Sequence, residues 1–419
     1  MLGAAVTAPY LQSALILPMR VVLLSSLPPE QTAIADFAAR WRAAANQAGV
    51  NILTPLQGQR PLSTQAEAQR WVAERDWAKV DVVHAQLGHG RRSEFLALCA
   101  LARLKNRPAL SATVHDPDRL IWGPIHRAWP AIERSPGPLK DLLTALSEPH
   151  SWWVERRLAR QMEGLVTMTE TGAKALSRRL GLPPDKVTVV PHGALRIAPV
   201  PLPEDGLVRL LHFGFIRSGK GIEMLVDALG RACAQDPAAA SRLRLTLAGG
   251  TSFDPTYGRS GGYLDRLRKR VAARGLTDQV EWELDVDGRD VPSLIQRHHL
   301  MLLPKGNSRS AVWLARRRSS SGAMAWATAC GRGVIAPAVR TFAEEVQGGL
   351  GEVYRPGDIE ALAQSLCQLV EDPRRMHAWA LAAAGQASQK DWTVVGQMTR
   401  AHFDAMVALR LESSFLPKA

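Results

Sequence analysis

The stretch LLHFGFIRSGKGIEML, Leu210–Leu225, decides how the chain is read. An apolar run ends at Gly214, and Gly219 and Gly221 follow before the next apolar positions begin. A short apolar run, a glycine-bearing turn and a helix start together describe a buried parallel strand feeding a helix. Arg217 and Lys220 sit inside that turn. The helix start presents backbone N–H groups and the positive end of the helix dipole. Arginine can fork two oxygens and lysine adds a point charge, so the loop suits a diphosphate. The spacing is neither GxGxxG nor GxxxxGK[ST], so it supports neither the dinucleotide fingerprint nor the P-loop motif. Two solvated cations on a basic turn are the competing reading.

The same strand-to-helix rhythm extends in both directions. Upstream, VVLLSS precedes a helix around Thr32–Ala45, and VDVVHA precedes RSEFLALCALARL. ALSATVHD, GLVTMT with GAKALSRRL, and VTVVPHG follow. The proline-rich stretch Ala194–Gly206 breaks the pattern and reads as a linker. Downstream, LRLTLAGG, QVEWEL, LMLLP and GVIAP repeat the strands. In RPGDIEALAQSLCQLVED, Asp358 is the expected N-cap of the following helix. The expected fold class is α/β, with two doubly wound halves facing across a cleft and ligands at the carboxyl ends of the strands.

Composition narrows the function classes. The 419 residues suffice for two or three domains, and no apolar run reaches the length of a membrane span. Four scattered cysteines without CxxC spacing fit thiols in a reducing cytoplasm. Residues 1–18 are apolar without a basic start, and read as an extension rather than a signal peptide. The net charge of +13 favours an anionic partner. No nucleic-acid-binding motif accompanies it, so nucleic acid is not expected.

A second anion-ready helix start lies in RSSSGAMAWATACGRGVIAP, where Ser320, Ser321 and Gly322 lead into an apolar helix. Two such starts in one half could grip one diphosphate from two sides. The set HFGFIRSGKGIEMLVDAL, LTLAGG, SSSGAMAWATACGRGVIAPAVRTFAEEV and GEVYRPGDIEALAQSL resembles the nucleotide-sugar half of GT-B glycosyltransferases, in particular glycosyltransferase family 4. DVVHAQLG, SATVHDP and TMTETGAKALSRRLGLPPDKVTVVPHG are similar to the partner half, and KDWTVVGQMTRAHFDAMVAL to the helix that crosses back.

The resemblance implies two Rossmann-like domains: an acceptor-binding one over 19–200, completed by a helix at 392–411, and a nucleotide-sugar-binding one over 205–390. It implies that Arg217 and Lys220 hold the donor diphosphate, with Gly214, Gly221, Ser320, Ser321 and Gly322 lining the donor. His115, in TVHDP, matches the active-site histidine, with Asp116 beside it on the acceptor side. It also implies transfer of a sugar to a hydroxyl with retained anomeric configuration and no metal or other cofactor; the expected location is the cytoplasm, free or peripheral on the inner face of the cytoplasmic membrane. The acceptor expected by association is a lipid-linked saccharide in exopolysaccharide or envelope glycan synthesis. A non-catalytic GT-B-like binding protein is the rival.

One departure stands out. Aligned on Gly331, the two glutamates that many members carry fall on Arg318 and Trp326. Tryptophan cannot accept the ribose hydrogen bond that the second glutamate makes. Glu344 and Glu345 are the nearest carboxylates that could substitute, although exposed helix-start acids are the plainer expectation for both. The DPD and DVD triplets, Asp116–Asp118 and Asp285–Asp287, read as chance rather than metal ligands. Arg119–Gln161 holds Trp122, Trp129, Trp152 and Trp153 among seven cations. That segment is either a face for an anionic membrane surface or an insertion packed on its own domain.

Overall fold

The structure, a computed structural model, describes residues 19–30, 32–122, 132, 137–251, 261–304, 320–339 and 341–415. The proposed extension 1–18 and Arg318 lie outside the described residues. Strands β1 Met19–Leu24, β2 Val50–Leu53, β3 Val82–Leu87, β4 Ala109–Val114, β5 Gly164–Thr167 and β6 Val187–Val189 form one sheet. Strands β7 Val208–Phe213, β8 Leu243–Gly249, β9 Val280–Leu284, β10 Leu300–Leu302, β11 Gly333–Pro337 and β12 Gly351–Tyr354 form the other. The orders are β2-β1-β3-β4-β5-β6 and β12-β11-β10-β7-β8-β9, and the pairings are parallel. Helices cover both faces, so β3, β4, β5 and β11 are buried along their whole length. This is the α/β, two-domain Rossmann-like architecture that the strand rhythm predicts.

Each sheet reverses its strand order once, between β1 and β3 in the first and between β7 and β10 in the second. Adjacent loops diverge at such a reversal and leave a crevice at the strands' carboxyl ends. The stretch after β7 therefore opens into the crevice of the second domain. Thr32, Thr64, Thr169 and Asp358 cap helices with their side chains, Asp358 through the Ala361 N–H at 2.9 Å.

The linker is fastened rather than loose. Arg332, 2 % exposed, donates to the carbonyls of Val200 and Pro201, each at 3.0 Å, and to those of Gln296 and His298, each at 2.6 Å. Carbonyl dipoles rather than a carboxylate thus satisfy a buried guanidinium. The final helix, Trp392–Phe415, returns to the first domain and packs along the helix Ala33–Gln47. Gly396 permits the crossing, since a Cβ there would lie 2.4 Å from the Ala44 oxygen. Farther along, His402 bridges Ser111 and Thr188 at 3.1 Å each, pinning the helix to β4 and β6.

Candidate active site

The loop after β7 is built from left-handed turns that only glycine adopts without strain. Gly219 and Gly221 have φ of 81° and 82°, and Gly221 starts the helix Ile222–Gln235 without a side-chain cap. A Cβ on Gly249 would lie 2.0 Å from the Gly214 oxygen, so β8 must end in glycine for the loop to pass. Added side chains at Gly214 and Gly219 would meet only open space. Arg217 is exposed, and Lys220 is half-buried with its Nζ 5.8 Å from the centre of the Phe215 ring. Beneath them, His212 bonds the Leu302 carbonyl of β10 at 3.3 Å. Burial pushes the His212 pKa down to about 4, so it stays neutral beside Lys220.

The second helix start, Gly322–Ala329, follows β10 along the same edge of the sheet. Ser321 is its N-cap without a side-chain cap bond, and a side chain at Gly322 would meet open space. Glu345 accepts from the hydroxyls of Ser320 at 3.0 Å and Thr341 at 2.7 Å, and from the Ser321 N–H. Burial raises the Glu345 pKa, with the two hydroxyl bonds opposing the shift. The expectation that Glu344 and Glu345 are exposed acids is overturned: both are half-buried and engaged. Glu345 shapes the entry to the helix Gly322–Ala329 through Ser320 and Ser321.

In the first domain, His115 leaves the end of β4. Its Nε2 pairs with the Gln86 Oε1 of β3 at 2.7 Å, and its ring packs edge-on against Phe37 at 4.8 Å. An amide oxygen only accepts, so the imidazole carries its proton on Nε2 and offers Nδ1 as an acceptor. Burial pushes its pKa down to about 3, with the Asp116 charge opposing. His115 is a neutral group at working pH. Asp116 accepts the His89 N–H at 3.2 Å, tying the loops after β3 and β4 together.

Two contacts across the cleft escaped the sequence reading. Trp326, on the helix Gly322–Ala329, lies under the Arg40 guanidinium of the first domain, 5.1 Å from the ring centre. The two line a cavity of about 180 Å³ with Asp36, Phe37 and His192. Glu344 reaches the first domain as well, accepting the N–H groups of Glu170 and Thr171, each at 2.7 Å. A carboxylate of one domain thereby caps a helix start of the other. Part-exposed bonds of this kind contribute about 1–2 kcal/mol together after solvent screening. Glu344→Ala should therefore open the unliganded protein, enlarging its radius of gyration in small-angle scattering with little change in Tm. An unchanged radius would mean that the contact does not hold the cleft closed.

The remaining candidates are engaged locally. Asp285 accepts the Thr251 N–H and hydroxyl at 2.8 Å, and Asp287 pairs with Arg289. Among the described residues no group of three His, Cys, Asp or Glu is placed to hold a metal ion. The tryptophan segment divides. Trp122 donates to the Asp116 carbonyl and Trp152 to the Arg179 carbonyl, while Arg119 is buried against Glu148 at 2.6 Å. These three pack on their own domain. Trp153 faces solvent; Trp129, Arg127 and Arg134 lie outside the described residues.

Two family models match consecutive parts of the chain: Glycosyltransferase Family 4 over residues 19–194 and Glycosyl transferases group 1 over residues 199–386. The chain belongs to the GT-B glycosyltransferases of the family 4 type. This glycosyltransferase is 29% identical over 251 residues to the D-inositol 3-phosphate glycosyltransferase of Stackebrandtia nassauensis, covering 57% of this chain and 53% of that protein. The namesake from Salinispora tropica is 29% identical over 263 residues, covering 57% and 50%. The matches span about half the length of these curated relatives. Anabaena HepE, solved in complex with UDP, superposes with a TM-score of 0.64 at 17% identity, over 92% of this chain and 100% of that one. Sucrose-phosphate synthase from Thermosynechococcus elongatus superposes with a TM-score of 0.64 at 18% identity, over 93% and 100%. The fold of the glycosyltransferase is thus that of GT-B enzymes.

Proposed function

We propose that this protein transfers a sugar from a nucleotide-diphosphate-sugar donor to a hydroxyl of a lipid-linked saccharide, with retention, on the cytoplasmic side of the membrane. The observation that carries the donor half is the basic glycine loop Gly214–Gly221 at the strand reversal of the second sheet, with open space beside Gly214 and Gly219. Negative charge grows on the diphosphate as the sugar departs. Arg217 and Lys220 stabilise that charge, and the N-terminus of Gly322–Ala329 adds its dipole from the other side. Preorganised charges of this sort contribute several kcal/mol to the transition state.

His115 acts in this scheme as a neutral hydrogen-bonding group at the sugar, since a ring with a pKa of about 3 does not serve as an acid at pH 7. Asp116 sits beside it on the acceptor side. Ser320 and Ser321 border the donor, with Glu345 fixing their positions. Trp326 supplies no acceptor for a ribose hydroxyl, so the nucleoside is held by other groups. The diphosphate then carries a larger share of donor recognition. A lipid-linked acceptor is supported by the basic excess of the chain and by a structural neighbour titled lipopolysaccharide outer core galactosyltransferase, which has a TM-score of 0.61.

A nucleoside diphosphate alone should bind and stabilise the folded protein. At 100 times its Kd, a ligand adds about 2.7 kcal/mol to stability. Thermal melts with UDP, GDP and ADP test this: at least one should raise Tm, and its monophosphate should raise it less. Melts unmoved by all three at millimolar concentration would overturn the donor assignment.

A further inference from the structure

A row of apolar side chains points to solvent on the first domain. The helix Gly137–Leu146 passes into the helix Glu148–Gln161 through Ser147, which keeps helical angles, φ −82° and ψ −7°. The Ser147 N–H bonds the Leu143 carbonyl and the Ser151 N–H bonds the Ser147 carbonyl, each at 3.0 Å, so the i to i−4 ladder crosses the junction. Pro149 lacks an N–H and loosens one rung. Positions three and four apart share one side of such a helix. That side carries Leu139, Leu142, Leu146 and Trp153, exposed by 46%, 56%, 70% and 52%.

Charge completes the row. Arg157 and Arg160 follow on the same side and are exposed, with the Arg157 guanidinium 5.4 Å from the Trp153 ring centre. The acids of the second helix turn inward. Glu148 is paired with Arg119 and Arg179, and Glu155 is buried and accepts the Leu120 N–H at 2.8 Å. Ser151, Glu155, Leu158 and Ala159 attach the opposite side to the first domain. No acid is exposed on this helix among its described side chains.

We propose that this face docks onto an anionic lipid bilayer, with the leucines entering the acyl boundary, Trp153 at the headgroup level and the arginines among the lipid phosphates. Apolar side chains, an interfacial tryptophan and cations on one side of a helix are what a helix lying in the membrane plane requires. The net charge of +13 draws the whole molecule toward the same surface. A second copy of the chain would set Arg157 and Arg160 against their own kind, which favours the lipid as occupant. The proposal serves the reading of a lipid-linked acceptor, while its observations are separate from the donor loop.

Co-sedimentation of the full chain with vesicles tests it, comparing phosphatidylcholine alone with phosphatidylcholine plus phosphatidylglycerol. The wild type should partition ~10-fold more strongly onto the anionic vesicles and be released as salt rises. The pair Leu142→Ser and Leu146→Ser, and separately Trp153→Ser, should each lower that partition several-fold while leaving the nucleoside-diphosphate melting shift intact. Wild-type protein that stays in solution, variants that bind like the wild type, or equal binding to neutral vesicles would each overturn the proposal. So would a wild-type dimer in light scattering that these variants break, since the row would then be a self-association face. A missing nucleotide shift in every protein would count against the donor reading and leave the vesicle result standing.

Discussion

Lys220→Ala should lower kcat/KM for the true donor at least ~10-fold, and Arg217→Ala should do the same or worse. Each removes a charge-assisted contact worth about 1.5–3 kcal/mol, and ~1.4 kcal/mol is a factor of ten in rate. Because charge on the diphosphate grows toward the transition state, part of the loss should fall on kcat rather than on KM alone. Arg217→Lys should recover little, since an ammonium cannot reproduce the planar fork. Neither side chain is in the core, so the variants should melt near the wild type when no nucleotide is present. Steady-state kinetics on both, with circular dichroism as the control for folding, decide the matter. Two folded variants with unchanged kinetics would return the loop to a turn that happens to be basic.

Acid should unfold the protein well before the carboxylates themselves titrate. Burial pushes His115 down to about 3, and His192, His212, His298 and His402 down to about 4. His84 and His299 are lowered too, again chiefly by burial. In the unfolded chain the same rings take up protons below about pH 6.5. Their contribution is therefore complete above that pH and is lost as pH falls toward the folded values. At pH 5 each ring costs about 2 kcal/mol, so five of them approach the whole stability of an ordinary domain. Glu155 acts in the other direction. Burial raises its pKa to about 7, so its contribution is present at low pH and fades as pH climbs toward that value. Burial raises Glu94 and Glu345 in the same direction, and these three carboxyls do not outweigh the histidine rings. The melting temperature should be level from pH 7 to 8.5 and lower by at least ~10 °C at pH 5. A flat profile across that range would show that these rings are not buried neutral.

The fold was legible because parallel strands covered on both faces are written as unbroken apolar runs, and because glycines mark the turns between them. LTLAGG carries Gly249 at the end of β8 for a reason that the structure makes physical: the backbone of Gly214 occupies the place of a side chain. The basic loop that we propose as the donor site could be singled out for a related reason, since its cations and glycines are neighbours in the chain. What stayed hidden depends on residues far apart in sequence. Nothing near Glu344 announces that its carboxylate will cap Glu170 and Thr171, 174 and 173 positions away. Arg332 gives no sign of the carbonyls that surround it. Trp152 and Trp153 look equivalent in the sequence, yet neighbours on a helix point about 100° apart, so one turns inward and the other out. The leucine row Leu139, Leu142 and Leu146 was not singled out in the sequence. An apolar helical period ordinarily marks the buried side of a helix, and only the exposure of these side chains reverses that reading.

Turnover of a nucleotide-diphosphate sugar at the Arg217–Lys220 loop is the proposal on which the rest depends. The most direct measurement is release of nucleoside diphosphate from a panel of UDP-, GDP- and ADP-sugars, with anionic vesicles and lipid-linked saccharides present, by the wild type and by Lys220→Ala. The expected result is turnover of at least one donor by the wild type, release of the diphosphate rather than the monophosphate, and a loss of at least ~10-fold in the variant. A wild type that binds nucleoside diphosphate yet releases none from any donor would contradict it, and would make the protein a GT-B-fold binding protein.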